Sequence, residues 1–144
     1  GNGGEWNDDL LVTHGPSYYT NALMELIKDY QSRCGATKVV LAGCSAGGYM
    51  TMRLILDYPD YFAAAIPICE ALPDDVISDQ QLSEIKDLPL YFIYSNDDPS
   101  IIPEKFEIPT INRLKILRLQ LILHVATFDS VIDISGKYND LNEW

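Results

Sequence analysis

A short apolar run, Val39-Val40-Leu41-Ala42, passes directly into Gly43-Cys44-Ser45-Ala46-Gly47-Gly48 and then into a stretch with Met50, Leu54 and Tyr58 four residues apart. Residues 38–42 read as a strand buried on both faces, and residues 46–58 as a helix closed by Pro59. The turn between them is too sharp for ordinary side chains. Gly43 and Gly47, two residues either side of Ser45, are the small neighbours that such a turn requires. It pushes Ser45 out at the carboxyl end of the sheet, where open α/β sheets place ligands. The helix that begins there aims its free N–H groups, Ala46 first, at that position, so developing negative charge is favoured. No lysine follows the last glycine, which argues against a phosphate loop.

The rest of the chain repeats the alternation. Residues 18–33 predict a helix with Ala22, Leu23, Leu26, Ile27 and Tyr30 on one apolar face, ended by Gly35. Residues 62–69 predict a second buried strand, 74–87 an acidic helix plus loop, and 90–94 a third strand. Residues 103–117 contain another helix, and 119–128 form a fourth strand. The expected fold is α/β: a mostly parallel sheet of about four strands flanked by helices, with right-handed crossovers. A length of 144 residues fits one domain. The stretch 116–123 is unbroken and largely apolar where a helix–strand connection usually carries Gly, Asn or Asp. Together with the serine-bearing strand as an uncovered sheet edge, it predicts self-association or aggregation.

Ten basic residues against twenty-one acidic ones give a formal charge of −11. That field disfavours nucleic acid and anionic membrane surfaces as partners. No apolar run has the length of a bilayer span. Residues 1–9 are polar and glycine-rich rather than a signal peptide, and without an initiator Met this end leaves the compartment open, secreted or cytoplasmic. Cys34, Cys44 and Cys69 are too few and too widely spaced for a disulfide framework or a zinc site. They read as small buried hydrophobes, with one bridged pair left open.

A second constellation is Tyr91-Phe92-Ile93-Tyr94-Ser95-Asn96-Asp97-Asp98-Pro99-Ser100-Ile101. An acidic residue at the carboxyl end of a strand, downstream of the serine, is where a carboxylate that orients a catalytic histidine belongs. Asp97 and Asp98 compete. Asp98 is preferred because the apolar Ile101 follows three residues later. The same residues also suit a purely structural Asx turn.

Gly43-Cys44-Ser45-Ala46-Gly47-Gly48-Tyr49-Met50 followed by residues 58–69, Tyr-Pro-Asp-Tyr-Phe-Ala-Ala-Ala-Ile-Pro-Ile-Cys, resembles the esterase and predicted-peptidase branch of the α/β-hydrolases. That branch is related to polyhydroxybutyrate depolymerases and feruloyl esterases and is similar to prolyl-oligopeptidase-type catalytic domains. Residues 88–101 and Phe128-Asp129-Ser130-Val131-Ile132-Asp133 also resemble its later segments. The resemblance implies a serine esterase acting on a small-molecule ester through an acyl-enzyme, with Ser45 as nucleophile, Ala46 N–H as an oxyanion donor, Asp98 as triad acid, and no metal or organic cofactor.

Two departures shape the alternatives. The family's histidine position after the F-D-x-V segment is Ile132 here, and no Gly-His-Trp stretch follows. Only about 36 residues precede the serine-bearing strand. The chain is therefore expected to be a single incomplete domain over residues 1–144, the C-terminal half of the family fold. The alternatives are a non-catalytic or truncated fragment lacking the histidine, and a serine peptidase of the prolyl-oligopeptidase type. Of the two histidines, His124 is expected to be structural within the last strand, and His14, before Gly15-Pro16, is expected to be non-catalytic although a loop there could approach the site.

Overall fold

A computed structural model of the chain describes residues 16–117 and 121–126. The elements are α1 (Tyr18–Cys34), β1 (Val40–Cys44), α2 (Ala46–Asp57), β2 (Ala64–Ile68), a short 3-10 turn (Asp74–Val76), α3 (Asp79–Glu84), β3 (Tyr91–Ser95), α4 (Glu107–Leu117) and β4 (Ile122–Ala126). The four strands form one sheet in the order β1-β2-β3-β4, every pair parallel. This is the α/β arrangement that the alternation predicts. His14, the segment Phe128-Asp129-Ser130-Val131-Ile132-Asp133 and the middle of the apolar stretch, residues 118–120, lie outside the described residues.

α1 starts on a capping box. The Ser17 hydroxyl accepts from the Thr20 N–H, and Thr20 Oγ1 accepts from the Ser17 N–H at 2.8 Å. Gly35 ends it in the left-handed conformation at φ 67°, which only glycine adopts freely. The buried stripe of α1 differs from the expected one. Thr20 and Met24 are buried and Leu23, Ile27 and Gln31 half-buried, whereas Ala22, Leu26 and Tyr30 are exposed. Polar contacts explain the roll of the helix. Tyr58 donates to Asn21 at 2.7 Å and Tyr61 donates to Gln31, pinning that side of α1 to the segment that follows α2. The capping residues Ser17 and Thr20 are buried on the same side.

Side chains alternate across the sheet. Leu41, Ala65, Phe92, Tyr94 and Leu123 join the main core with Met24 of α1, Met52 and Ile55 of α2, Leu82 of α3, and Ile111 and Leu114 of α4. On the other face Ile68, Cys69 and Ile93 are buried together, with Ile66 and Tyr91 packed against them. At the margins of that face Val40 is 55% exposed and Ile122 63% exposed.

Two expectations need correction here. β1 is not buried on both faces: Val40, Ala42 and Cys44 are exposed. The reason is its place as an edge strand, with β2 as its partner among the described residues. The three cysteines are not all buried either. Only Cys69 is, while Cys34 closes the exposed last turn of α1 and Cys44 ends the edge strand.

Arg113 fastens α4 to the segment after β2. Its guanidinium donates to Asp74 at 2.9 Å, to Asp79 at 2.7 Å and to the Ile77 carbonyl at 2.8 Å. That brace fixes the loop that leaves β2 at its carboxyl end, where Ser45 also lies. No described helix is long and apolar enough to cross a membrane.

Candidate active site

Ser45 occupies the junction between β1 and α2 at φ 56° and ψ −116°, a conformation that L-residues adopt only under strain. Two backbone bonds hold it. Its N–H donates to the Ile68 carbonyl at 2.9 Å, and its carbonyl accepts from Tyr49 N–H at 2.9 Å. A serine at a helix N-cap ordinarily turns its hydroxyl onto the first free N–H groups. Here it makes no such bond. The strained backbone swings the side chain away, and the residue is exposed. The hydroxyl is therefore not spent on capping, and the N–H groups of Ala46, Gly47 and Gly48 lack intrahelical acceptors. An exposed hydroxyl at a helix start with unsatisfied donors is an arrangement that acyl transfer can use.

The glycines around Ser45 divide differently from the sequence expectation. A Cβ at Gly43 would lie 2.3 Å from the Gly47 carbonyl oxygen and 2.9 Å from Thr51 Oγ1. A Cβ at Gly47 would meet nothing within 4 Å among the described residues. Gly48 carries the second constraint, with a Cβ there 2.7 Å from the Ile68 oxygen and 2.9 Å from the Glu70 Cα. Gly43 is thus the small residue the turn requires before Ser45, and Gly48 rather than Gly47 is the one after it. The symmetric spacing singles out Gly47, yet the close approach is between the first turn of α2 and the end of β2.

Asp98 lies beyond the end of β3. Its Oδ1 accepts from the N–H groups of Ser100 and Ile101, both at 2.8 Å, and the residue is buried. Asp97 is exposed and accepts from the Ser95 hydroxyl. The two carboxylates therefore separate in role. Asp97 closes the strand end, while Asp98 is fixed through one oxygen, leaving Oδ2 without a hydrogen bond among the described residues. The charge of Asp98 reaches the β1 end, where it adds to burial in raising the Cys44 thiol pKa. Cys44 immediately precedes Ser45, so the ends of β1 and β3 share one electrostatic environment.

His124 pairs in register with Ile93, two residues short of the carboxyl end of β4. Its backbone position is mid-strand, as expected. Among the described residues no group of three His, Cys, Asp or Glu is arranged to hold a metal ion.

Two functional-looking groups have no signal in the sequence. Glu70, just after β2, and Glu107, at the start of α4, are 0% and 1% exposed. Glu70 Oε2 accepts from Leu72 N–H at 2.7 Å, but Glu70 Oε1 and Glu107 Oε2 are buried without a hydrogen-bond partner among the described residues. Burial drives both carboxyls upward, Glu70 well above its ordinary value and Glu107 to about 8, and nearby acidic groups push in the same direction. In sequence they are indistinguishable from the many surface acids.

A surface cleft of about 390 Å³ lies elsewhere, lined by Leu56, Asp57, Pro59, Ser78, Gln80, Gln81 and Glu84. It sits at the carboxyl end of α2, about 16 Å from Ser45 by helix rise. It does not belong to the serine site.

The sequence profile of the prolyl oligopeptidase family matches residues 5–84, which include β1, Ser45 and α2. The chain belongs to the prolyl oligopeptidase family. Solved structures similar to this family member include esterases and a peptidase. A thermostable esterase is 25% identical with a TM-score of 0.64, over 78% of this chain and 30% of that one. The acylaminoacyl peptidase of Pyrococcus horikoshii is 16% identical with a TM-score of 0.61, over 74% of this chain and 22% of that one. Esterase PE8 is 15% identical with a TM-score of 0.59, over 85% of this chain and 60% of that one. This prolyl oligopeptidase family chain thus has the α/β-hydrolase fold and spans less than two thirds of the length of each. No curated protein matches it.

Proposed function

We propose that the chain carries the nucleophile of a serine hydrolase and that Ser45 attacks the acyl carbon of a carboxylic ester. The observation that carries this reading is the serine itself: strained, exposed, and not used to cap the helix that begins after it. In the proposed reaction Ser45 Oγ adds to the carbonyl and its proton passes to a base. The Ala46 N–H donates to the oxyanion. Collapse expels the alcohol, and water then hydrolyses the acyl-enzyme. Asp98, anchored through Oδ1, has Oδ2 with which to orient a histidine base. That histidine lies outside the described residues of this chain or in a part of a longer protein.

The test is covalent labelling with a fluorophosphonate probe. The unaltered chain is expected to label and Ser45→Ala to lose labelling entirely, with ester turnover falling at least about a thousandfold. Absence of labelling in the folded, unaltered chain leaves the non-catalytic fragment as the correct reading. The family match supports a second substrate class, the amide bond of a peptide. Paired p-nitrophenyl ester and p-nitroanilide substrates separate the two. Turnover of the ester alone supports the esterase, and efficient anilide cleavage supports the peptidase.

A further inference from the structure

We infer that Cys44 and Cys69 form a redox-active pair, closing to a disulfide across the ends of β1 and β2 when a low-molecular-weight disulfide such as glutathione disulfide supplies the oxidising equivalents. The register sets the distance. Cys44 lies opposite Ile68, and Cys69 is the next residue along. Strands about 4.8 Å apart and a rise of about 3.3 Å per residue place the two Cα atoms about 6 Å apart. Disulfides take Cα separations of roughly 4.4–6.8 Å.

Side-chain direction agrees. Cys44 and Ile68 are register partners in a parallel pair, so they point to the same face. Regular alternation would send Cys69 to the opposite face. Its backbone instead turns left-handed at φ 42°, and the side chain is buried in the cluster with Ile68 and Ile93, on the face that Cys44 shares. Cys69 and Ser45 are the only non-glycine residues with positive φ among those described. The strain at Cys69 thus returns a thiol to the neighbourhood of Cys44. The two sulfurs also sense each other: burial raises the Cys69 thiol to about 12, and the Cys44, Asp98 and Glu107 charges push it the same way.

Those raised thiols set the character of the switch. The thiolate is the attacking species, so closure is slow at neutral pH and faster in mild alkali. A dithiol whose thiolates are poorly stabilised has little hold on its reduced form, so the bridge resists reduction once made. Exchange runs in two steps. The exposed Cys44 loses its proton to solvent and attacks one sulfur of glutathione disulfide, giving a mixed disulfide and one glutathione thiolate. Cys69 then loses its proton and attacks the Cys44 sulfur, releasing the second glutathione. Two protein thiols are oxidised as one disulfide is reduced to two thiols.

The inference stands whether or not Ser45 is a nucleophile, and its test does not use activity. The folded chain is incubated at low protein concentration with excess glutathione disulfide in mild alkali, then acid-quenched, alkylated under denaturing conditions and peptide-mapped. The expected result is one cross-linked pair of peptides carrying Cys44 and Cys69, separated by dithiothreitol, with the exposed Cys34 outside it. In Cys69→Ala, Cys44 is expected to stop at the glutathione adduct. A persistent adduct at Cys44 in the unaltered chain, a bridge to Cys34, or two free thiols after prolonged incubation overturns the pairing. The bridged form is also expected to unfold at a higher temperature than the reduced form, and an unchanged or lower midpoint counts against a bridge that fits the native geometry.

Discussion

Alanine at Gly43 is expected to destabilise the fold by at least about 2–3 kcal/mol, whereas alanine at Gly47 leaves stability unchanged or slightly raised. The asymmetry follows from the backbone. At Gly43 the new methyl would stand 2.3 Å from the Gly47 carbonyl oxygen and 2.5 Å from its carbon, both main-chain atoms in the first turn of α2. That turn cannot retreat freely, because Thr51 Oγ1 donates to the same Gly47 carbonyl at 2.9 Å and Tyr49 N–H is held by the Ser45 carbonyl. Relief requires α2 to move away from the sheet, and α2 carries Met52 and Ile55, which are 0% exposed in the core. At Gly47 a methyl enters open space, and replacing glycine inside a helix lowers its conformational cost by about 0.5–1 kcal/mol. Gly48→Ala should resemble Gly43→Ala, since its methyl meets the Ile68 oxygen that accepts from Ser45 N–H. Urea unfolding of the three variants checks this. A Gly47→Ala loss equal to that of Gly43→Ala would refute the division of labour around Ser45.

The same positions show where the sequence was legible. The alternation of buried runs with stretches of period about 3.6 located all four strands and the long helices, because both periodicities come from burying one face. The apolar run points to 38–42 for β1, two residues before the observed Val40–Cys44, because it begins before the ladder with β2 does. Its exposure is not legible for a related reason: an edge strand and a central strand in a parallel sheet carry similar residues. α1 shows the other limit. Its most apolar residues, Leu26 and Tyr30, are exposed, while Thr20 is buried. Capping bonds and two tyrosine hydroxyls decided which side faces the core, and no hydropathy pattern contains them. At the candidate site, the sharp strand–helix turn at Ser45 is legible in the small residues around it, and the Asp98 turn in its spacing to Ile101. Glu70, Glu107 and the proximity of Cys44 to Cys69 are not, because each depends on which strand ends the topology brings together.

The buried acids give the second large expected effect: stability falls as pH rises from about 5 to 8. Glu70 and Glu107 keep their protons in the folded chain over a range in which an unfolded glutamate, with its ordinary value of 4.5, has lost them. The folded state then binds more protons than the unfolded state. The stabilising contribution of each neutral carboxyl is full below the unfolded value and is lost as pH climbs to the folded one, about 8 for Glu107. The slope is on the order of 1 kcal/mol per pH unit for each group. The groups facing the pair are themselves acidic. Glu107 and Asp74 act on Glu70, while Asp98 and Glu104 act on Glu107. The nearby guanidinium of Arg113 is already committed to Asp74 and Asp79. Glutamine reproduces the neutral acid in shape and never ionises, so Glu70→Gln and Glu107→Gln should each flatten the curve and raise stability at pH 8 relative to the unaltered chain. Thermal or urea unfolding across this range supplies the measurement. A flat profile in the unaltered chain, or an unchanged slope in both variants, shows that the two carboxyls are ionised in the fold. In that case Glu70 Oε1 and Glu107 Oε2 must meet a positive charge from outside the described residues, because two buried carboxylates beside Asp74, Asp98 and Glu104 would otherwise repel one another at the end of the sheet that holds Ser45.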